Sequence, residues 1–213
     1  PTRADIRLGD VVVSTPTGQL GGVVQYDYGK SCPYGSFERT GSLNKPYLPL
    51  LVAVSHLRSD YLLHDTQISK VISDALGHHK DTFSRPAEDW LFQPAYVHGG
   101  AGDCSSCDKS HLVPRGPRAS SEPHIHYGLI ASGDRVIKDA QMRDSYAEDL
   151  PILCFEMESA GIMDQLPCLV IRGICDYCDS HKQKNWQGFA ALAAVAYAKK
   201  LLSIVPLASD AVV

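Results

Sequence analysis

Short apolar runs bounded by turn residues alternate along the chain with stretches in which apolar positions recur at helical spacing. Asp10 to Ser14 (DVVVS) and Gly22 to Tyr28 (GVVQYDY) read as strands joined through a turn at Pro16 to Gly21, and together as an antiparallel excursion. From Pro46 to about Leu76, Leu50, Val54, Leu57, Tyr61, Ile68, Val71, Ile72 and Leu76 recur with the helical period, which predicts two helices with a break near Ser59. Residues 77–123 are rich in Gly, Pro, Ser, His and Asp and carry little periodicity beyond the aromatic patch Trp90, Phe92 and Tyr96. A stretch of that length is too long for an idle connection, so a lid, an interface loop or a locally ordered excursion is expected.

The second half is more regular. Tyr127 to Ala131 predicts a strand, Ser132-Gly133-Asp134 a tight turn, and about Val136 to Tyr146 a helix. Ile152 to Glu156 is the next strand; a helix from about Ser159 to Gln165 then leads through Pro167 into a strand over Cys168 to Ile174. Trp186 to Val205 has the Ala and Leu content of a packed closing helix, with Lys199 and Lys200 in its later turns, where cations oppose the helix dipole. Alternating helices and strands predict an α/β class: a central mixed, largely parallel sheet flanked by helices, in one domain over residues 1–213.

Composition narrows the functional classes. With 213 residues, 44% hydrophobic and 21% charged, the chain can bury one substantial core. A formal charge of −4 gives no basic excess, so a nucleic-acid polymer is not an expected partner. No apolar run reaches the roughly 18 residues needed to cross a bilayer, and PTRADIRLGD has no signal-peptide core, so a soluble intracellular, cytoplasmic protein without a membrane partner is the expectation. Seven cysteines is an odd number, and Cys32, Cys154, Cys168 and Cys175 lie near or within strand-like sequence, as buried thiols do; no disulfide framework is read. Cys104 and Cys107 form one C-x2-C in a polar loop, with His98 and His111 close by, which is the ligand inventory of a tetrahedral zinc site. The spacing fits no standard finger, so no metal is assigned and the pair stands as an alternative.

The chemistry concentrates in ILCFEMESAGIMDQLPCLVIRGICDYCDS, residues 152–180, where Glu156, Glu158 and Asp176 stand at the ends of two apolar runs that read as neighbouring strands. In open α/β sheets ligands collect where strands end, so acids there are site candidates. The blocks RLGDVVVS, HYGLIASGDRVIKDAQMRD, CFEMESAGIMDQLPCLVIRGICDYCDSHK and the Ala-rich final helix resemble the nucleoside phosphorylase and nucleosidase superfamily, in the version found as a domain of fungal receptor-like multidomain proteins. The E-M-E followed some twenty residues later by a strand ending in Asp is the specific part of that resemblance.

The resemblance implies cleavage of the N-glycosidic bond of purine nucleosides or nucleotides by water or phosphate, with release of free base. Such a reaction builds positive charge on the ribose and negative charge on the departing purine. Asp176 is the candidate acid at the purine N7, a role that partial burial favours. Glu158, with Glu156 beside it, is implied as acceptor for the ribose hydroxyls, and Met157 as an apolar surface for the sugar. For the base the family pattern uses the segment Ser132 to Ile137, here including Val136 and Ile137, and an aromatic before the last helix, here Trp186. Relatives often carry an aromatic where Val136 stands, so stacking from that side is expected to be weaker.

Several of these residues have plainer readings: Glu156 as an ion-pair partner of Arg172, and Asp176 as a turn residue, as Asp179 is taken to be. His124 and His126 read as surface or interface residues, and Arg115, Arg118 and Lys182 to Lys184 as solvated charge. In the superfamily an N-terminal strand, a helix and a Gly-rich loop precede the segment matching DIRLGDVVVS and supply the phosphate-binding groups or the water-activating acid. The chain starts at Pro1, where that loop would end, so an N-terminally truncated domain is expected, either one part of a larger protein or one completed by another chain in a homo-oligomer. No cofactor is implied, with phosphate as an alternative co-substrate. The rival expectation is a non-catalytic nucleoside-sensing or assembly domain of a larger signalling protein.

Overall fold

The computed structural model describes residues 4–63, 68–76, 80–100 and 103–206. Strands β1 (Val11–Ser14), β2 (Val23–Gln25), β3 (Gly29–Ser31) and β4 (Phe37–Arg39) come first, followed by helices α1 (Leu48–Leu63), α2 (Ile68–Leu76) and α3 (Lys80–Phe83). After a long irregular segment come β5 (Ile125–Ser132), α4 (Ala140–Asp149), β6 (Ile152–Glu156), β7 (Ile171–Gly173) and α5 (Gln187–Leu202). β5 organises the five-stranded sheet. Its first half pairs parallel with β1, from Val11 against Ile125 to Ser14 against Gly128. Its second half pairs parallel with β2, from Val23 against Ile130 to Gln25 against Ser132, and with β6, from Leu129 against Ile152 to Ser132 against Glu156. Only β7 runs antiparallel, against β1. The sheet is therefore mixed and largely parallel, as the alternation of elements predicts.

β5 is covered on both faces, so its inner residues are uniformly buried, as central strands of such sheets are. Ile130 faces the larger core with Val11, Val12 and Val13, the α1 residues Val54 and Leu57, Ile68 and Ile72 of α2, and the α5 stripe Phe189, Ala193, Ala196, Tyr197 and Leu201. Leu129 and Ala131 face a second core with Val24, Tyr26, Ile137 and Ile152, closed by Tyr146 of α4. The small residues of α5 let it lie close on the sheet: a methyl group added at Gly173 would overlap the carbonyl of Ala190.

Four expectations change. The strands over residues 10–14 and 22–28 do not pair with each other; each adds parallel to β5, and the second is ordered as a strand only over Val23–Gln25. α1 continues past Ser59 to Leu63, and any break between it and α2 falls on residues outside those described. The helix expected from Val136 begins only at Ala140, because the Asp139 carboxylate accepts the amides of Gln141 and Met142 and caps the helix there. The segment expected to be helical from Ser159 to Gln165 forms only a 3₁₀ turn at Ser159–Gly161 followed by turns.

The segment between α3 and β5 is an ordered excursion, held by polar anchors. Arg118 places its guanidinium on Asp10, with Nη1 2.6 Å from Oδ1 and Nη2 2.7 Å from Oδ2. Asp10 is 1% exposed and also takes His126 Nε2 at 2.9 Å and the amides of Arg7 and His124. Arg115 bonds the Tyr177 hydroxyl at 2.7 Å and pairs with Asp89 at 3.1 Å. Both arginines, read from sequence as solvated, are thus structural, and His126 is a core partner of Asp10.

Candidate functional site

The two acid-bearing runs, read as neighbouring strands, do not pair: β6 lies against β5 and β7 against β1, and the residues after β6 together with those along and after β7 enclose a cavity of about 180 Å³. It is lined by Val136 and Ile137 from the loop after β5, by Glu156, Met157 and Glu158 after β6, and by Arg172, Cys175, Asp176, Cys178 and Lys182 along and after β7. Six of the seven residues expected at the site therefore converge on one hollow. The seventh does not: Trp186 is fully buried, donates Nε1–H to the Glu88 carbonyl at 2.8 Å, and packs edge-on against Phe189. It is a core residue outside the cavity, and no aromatic side chain from the start of α5 reaches the hollow in its place.

The E-M-E turn is built around Glu156. This carboxylate is buried and accepts the amides of Glu158 at 3.0 Å and Ser159 at 3.0 Å, which supply the hydrogen bonds a buried carboxylate needs. Burial pushes its acidity down, but hydrogen bonds from Ser132, Glu158 and Ser159 outweigh it and hold the carboxyl below its usual range. Ser132 Oγ in turn accepts the Ala160 amide at 2.9 Å, tying the turn to the end of β5. Glu156 is thereby occupied in shaping the turn, while Met157 and Glu158 project to the open side, 42% exposed in the case of Met157. The cation expected on Glu156 sits on Glu158 instead, with Arg172 Nη1 3.1 Å from its carboxylate.

Asp176 is held by the loop that follows β7. Its Oδ1 accepts the Cys178 amide at 2.9 Å and its Oδ2 lies 3.1 Å from Lys182 Nζ. Cys178 adopts a φ of 52°, unusual for a side-chain-bearing residue, and such a conformation persists only where the surroundings over-determine it. The Cys178 thiol, desolvated and beside Asp176, is pushed up to about 12 and stays protonated. Ile137 is buried under the cavity floor and Val136 stands 55% exposed at its edge, so the apolar wall toward a ligand is thin on that side. A larger cavity of about 560 Å³, lined by Arg7, Phe92, Arg115 and Arg143, opens at Ala4, where the described residues begin, and gathers none of these acids.

On the far side of the Asp176 loop, the excursion brings His98, Cys104 and Cys107 together with His181. His111, the other histidine expected near the cysteines, instead stacks on Tyr96 at 4.3 Å.

No protein-family profile matches the chain. A nucleotide-binding leucine-rich repeat (NLR)-like protein of Hyaloscypha variabilis is 44% identical over 204 residues, 94% of this chain and 20% of that protein. A 5′-methylthioadenosine/S-adenosylhomocysteine nucleosidase of Mycobacterium bovis is 26% identical over 91 residues, 40% of this chain and 36% of the relative. Among solved structures, one assigned as a 5′-methylthioadenosine/S-adenosylhomocysteine nucleosidase from Borrelia burgdorferi B31, bound to adenine, superposes with a TM-score of 0.51 at 15% identity over 96% of this chain. The chain has the nucleosidase fold. The resemblance read in the sequence to the nucleoside phosphorylase and nucleosidase superfamily is met again in the architecture. The chain spans about a fifth of the NLR-like relative and 65% of the Borrelia structure. No helix among the described residues is long and apolar enough to cross a membrane.

Proposed function

We propose that the chain is a domain that binds purine nucleosides or nucleotides and cleaves their N-glycosidic bond, releasing the free base. One observation carries the reading: Glu158 and Asp176, 18 residues apart in sequence, line one hollow together with Met157, Val136 and Ile137. A nucleoside laid across it would meet Met157 with its ribose face and place its two hydroxyls on Glu158, whose charge strengthens those bonds as the ring becomes cationic. Arg172 would have to yield part of its pairing, which is inexpensive at a pair this exposed. The base would lie toward Ile137 with N7 at Asp176, competing with Lys182 for the carboxylate and receiving a proton or hydrogen bond as the bond breaks.

Hydrolysis is preferred to phosphorolysis, since each of the three cations lining the cavity already has a protein partner, Arg135 the Tyr146 hydroxyl, Arg172 Glu158 and Lys182 Asp176. At 180 Å³ the hollow is smaller than the roughly 300 to 1,000 Å³ usual for ligand pockets, so binding requires the Arg172 and Lys182 side chains to swing away from the two acids.

The test incubates the chain with adenosine, inosine, methylthioadenosine and ATP, and follows base release with phosphate present or omitted. Release without phosphate is expected. Release only with phosphate would make the reaction phosphorolysis. Nucleoside binding without release would overturn cleavage in favour of a sensing or assembly domain, a role compatible with the NLR-like relative.

A further inference from the structure

We infer that His98, Cys104, Cys107 and His181 form a tetrahedral zinc site that clips the excursion to the loop carrying Asp176. The four ligand atoms all lie within 4.8 Å of one another. His98 Nδ1 is 3.1 Å from Cys107 Sγ, and His181 Nδ1 is 3.7 Å from Cys104 Sγ and 3.8 Å from Cys107 Sγ. Zinc bonds of about 2.3 Å to sulfur and about 2.0 Å to nitrogen give a tetrahedron whose sulfur-to-nitrogen edges are about 3.6 Å, close to the separations found here. Four side chains on two segments distant in sequence thus stand where one ion would reach all of them.

The surroundings fit that ion. Cys104 and Cys107 sit on either end of a 3₁₀ turn started by the Asp103 carboxylate, which accepts the Ser105 amide, so the pair is presented by a rigid C-x2-C turn. His181 Nε2 lies 2.8 Å from the Tyr96 carbonyl, to which it can only donate, the second hydrogen bond that ligating histidines usually make; Nε2 therefore carries the proton and leaves Nδ1 for a metal. Its ring is stacked on Phe92 at 4.1 Å, fixing the direction of Nδ1. Two thiolates and two neutral imidazoles make a soft sulfur and nitrogen set of tetrahedral form, which selects zinc over the oxygen-seeking cations. All seven cysteines are free thiols, so no disulfide competes for the pair.

The site spans two pieces of chain that also meet where Arg115 and Asp89 hold the Tyr177 hydroxyl. His98 N–H donates to Ser180 Oγ at 2.9 Å and Gln183 Nε2 to the Trp90 carbonyl at 3.1 Å; the ion would add three ligands from the excursion and one from the loop five residues after Asp176. Its role is structural, since all four positions are filled by protein.

The experiment measures metal in the chain purified without a histidine tag. One zinc per chain is expected by atomic emission. After exchange for cobalt, the visible d–d bands and near-ultraviolet thiolate charge transfer of a two-thiolate tetrahedral site should appear. Cys104→Ser and His181→Ala should each weaken cobalt binding by about 100-fold or more, while His111→Ala leaves it unchanged. Should those variants fail to fold, the unaltered chain decides: alkylation followed by mass mapping should find Cys104 and Cys107 protected until a chelator is added. Trace metal only, a cobalt spectrum without thiolate bands, equal labelling of both cysteines with and without chelator, or a Cys104–Cys107 disulfide would each overturn the site. None of these readouts depends on base release.

Discussion

Asp10 is the buried charge on which the excursion, β1 and β5 converge, and replacing it tests the account of the fold most sharply. In Asp10→Asn the Arg118 guanidinium, whose side chain is 9% exposed, stays in place with its direct counter-charge gone and only the exposed Asp5 carboxylate left, at 3.9 Å. Removing one partner of a buried pair costs about 3 to 5 kcal/mol, because the other charge is left uncompensated. The same carboxylate leaves a signature in pH. Burial alone would raise its pKa, but His126, Arg118 and the Arg7 amide override that and hold it at about 2, below its usual 3.8. A group depressed by that much contributes about 2 kcal/mol of stability, fully present above the unfolded value, about half gone near pH 3 and lost as pH falls through 2. Urea unfolding at pH 7 and at steps down to pH 2.5, followed by circular dichroism, measures both effects. Asp10→Asn should lose about 3 kcal/mol at neutral pH and show a shallower acid decline than the parent chain. A loss below about 0.5 kcal/mol with an unchanged acid slope would refute the claim that this carboxylate anchors the excursion.

Asp176→Asn should reduce base release by about 100-fold with little change in nucleoside affinity, measured by single-turnover kinetics beside equilibrium binding. Glu158→Gln should weaken binding and turnover together, and unchanged kinetics would remove it from the site. Glu156→Gln keeps the shape but weakens the charge-assisted bonds to the amides of Glu158 and Ser159, so a stability loss of about 1 to 3 kcal/mol is expected by denaturant titration. Gly173→Ala would drive its methyl into the Ala190 carbonyl and should lower the melting temperature by several degrees, read by calorimetry; a neutral result would mean that α5 lifts freely from β7.

The parts of the fold legible in the sequence were those governed by local pattern. The buried run 129–131 of β5 and the α5 stripe announce themselves because period and burial coincide. The end of β7 was less legible: Cys168 to Val170 are as strand-like as Ile171, but β1 offers ladder partners only from Val11 to Val13, and Val170 bonds the Ser14 hydroxyl instead. The cavity residues came from the resemblance, and geometry gathered Val136, Ile137, Glu156, Met157, Glu158 and Asp176 in one place. Trp186 shows the limit. An indole before the last helix reads equally as pocket wall or core, and what decides is the Glu88 carbonyl and the bare Gly9 backbone beside its ring, neither visible in spacing. Arg118 and His181 were missed for the same reason: their partners lie 108 and 74 residues away, and no periodicity reports a contact at that range. The one hint for His181 was its place in the block CDYCDSHK beside Asp176.

The long strand at the centre has a mechanical consequence. β1, with β7 on its far edge, and β2 with β6 form two wings that join only through β5, one along each half of its length. β5 therefore acts as a keel: a wing can loosen while the other keeps its ladder, but neither can persist once the keel gives way. Amide deuteration should reach Leu129 to Ala131 last of all, and the cavity, mounted on the wing tips, can breathe without the sheet coming apart.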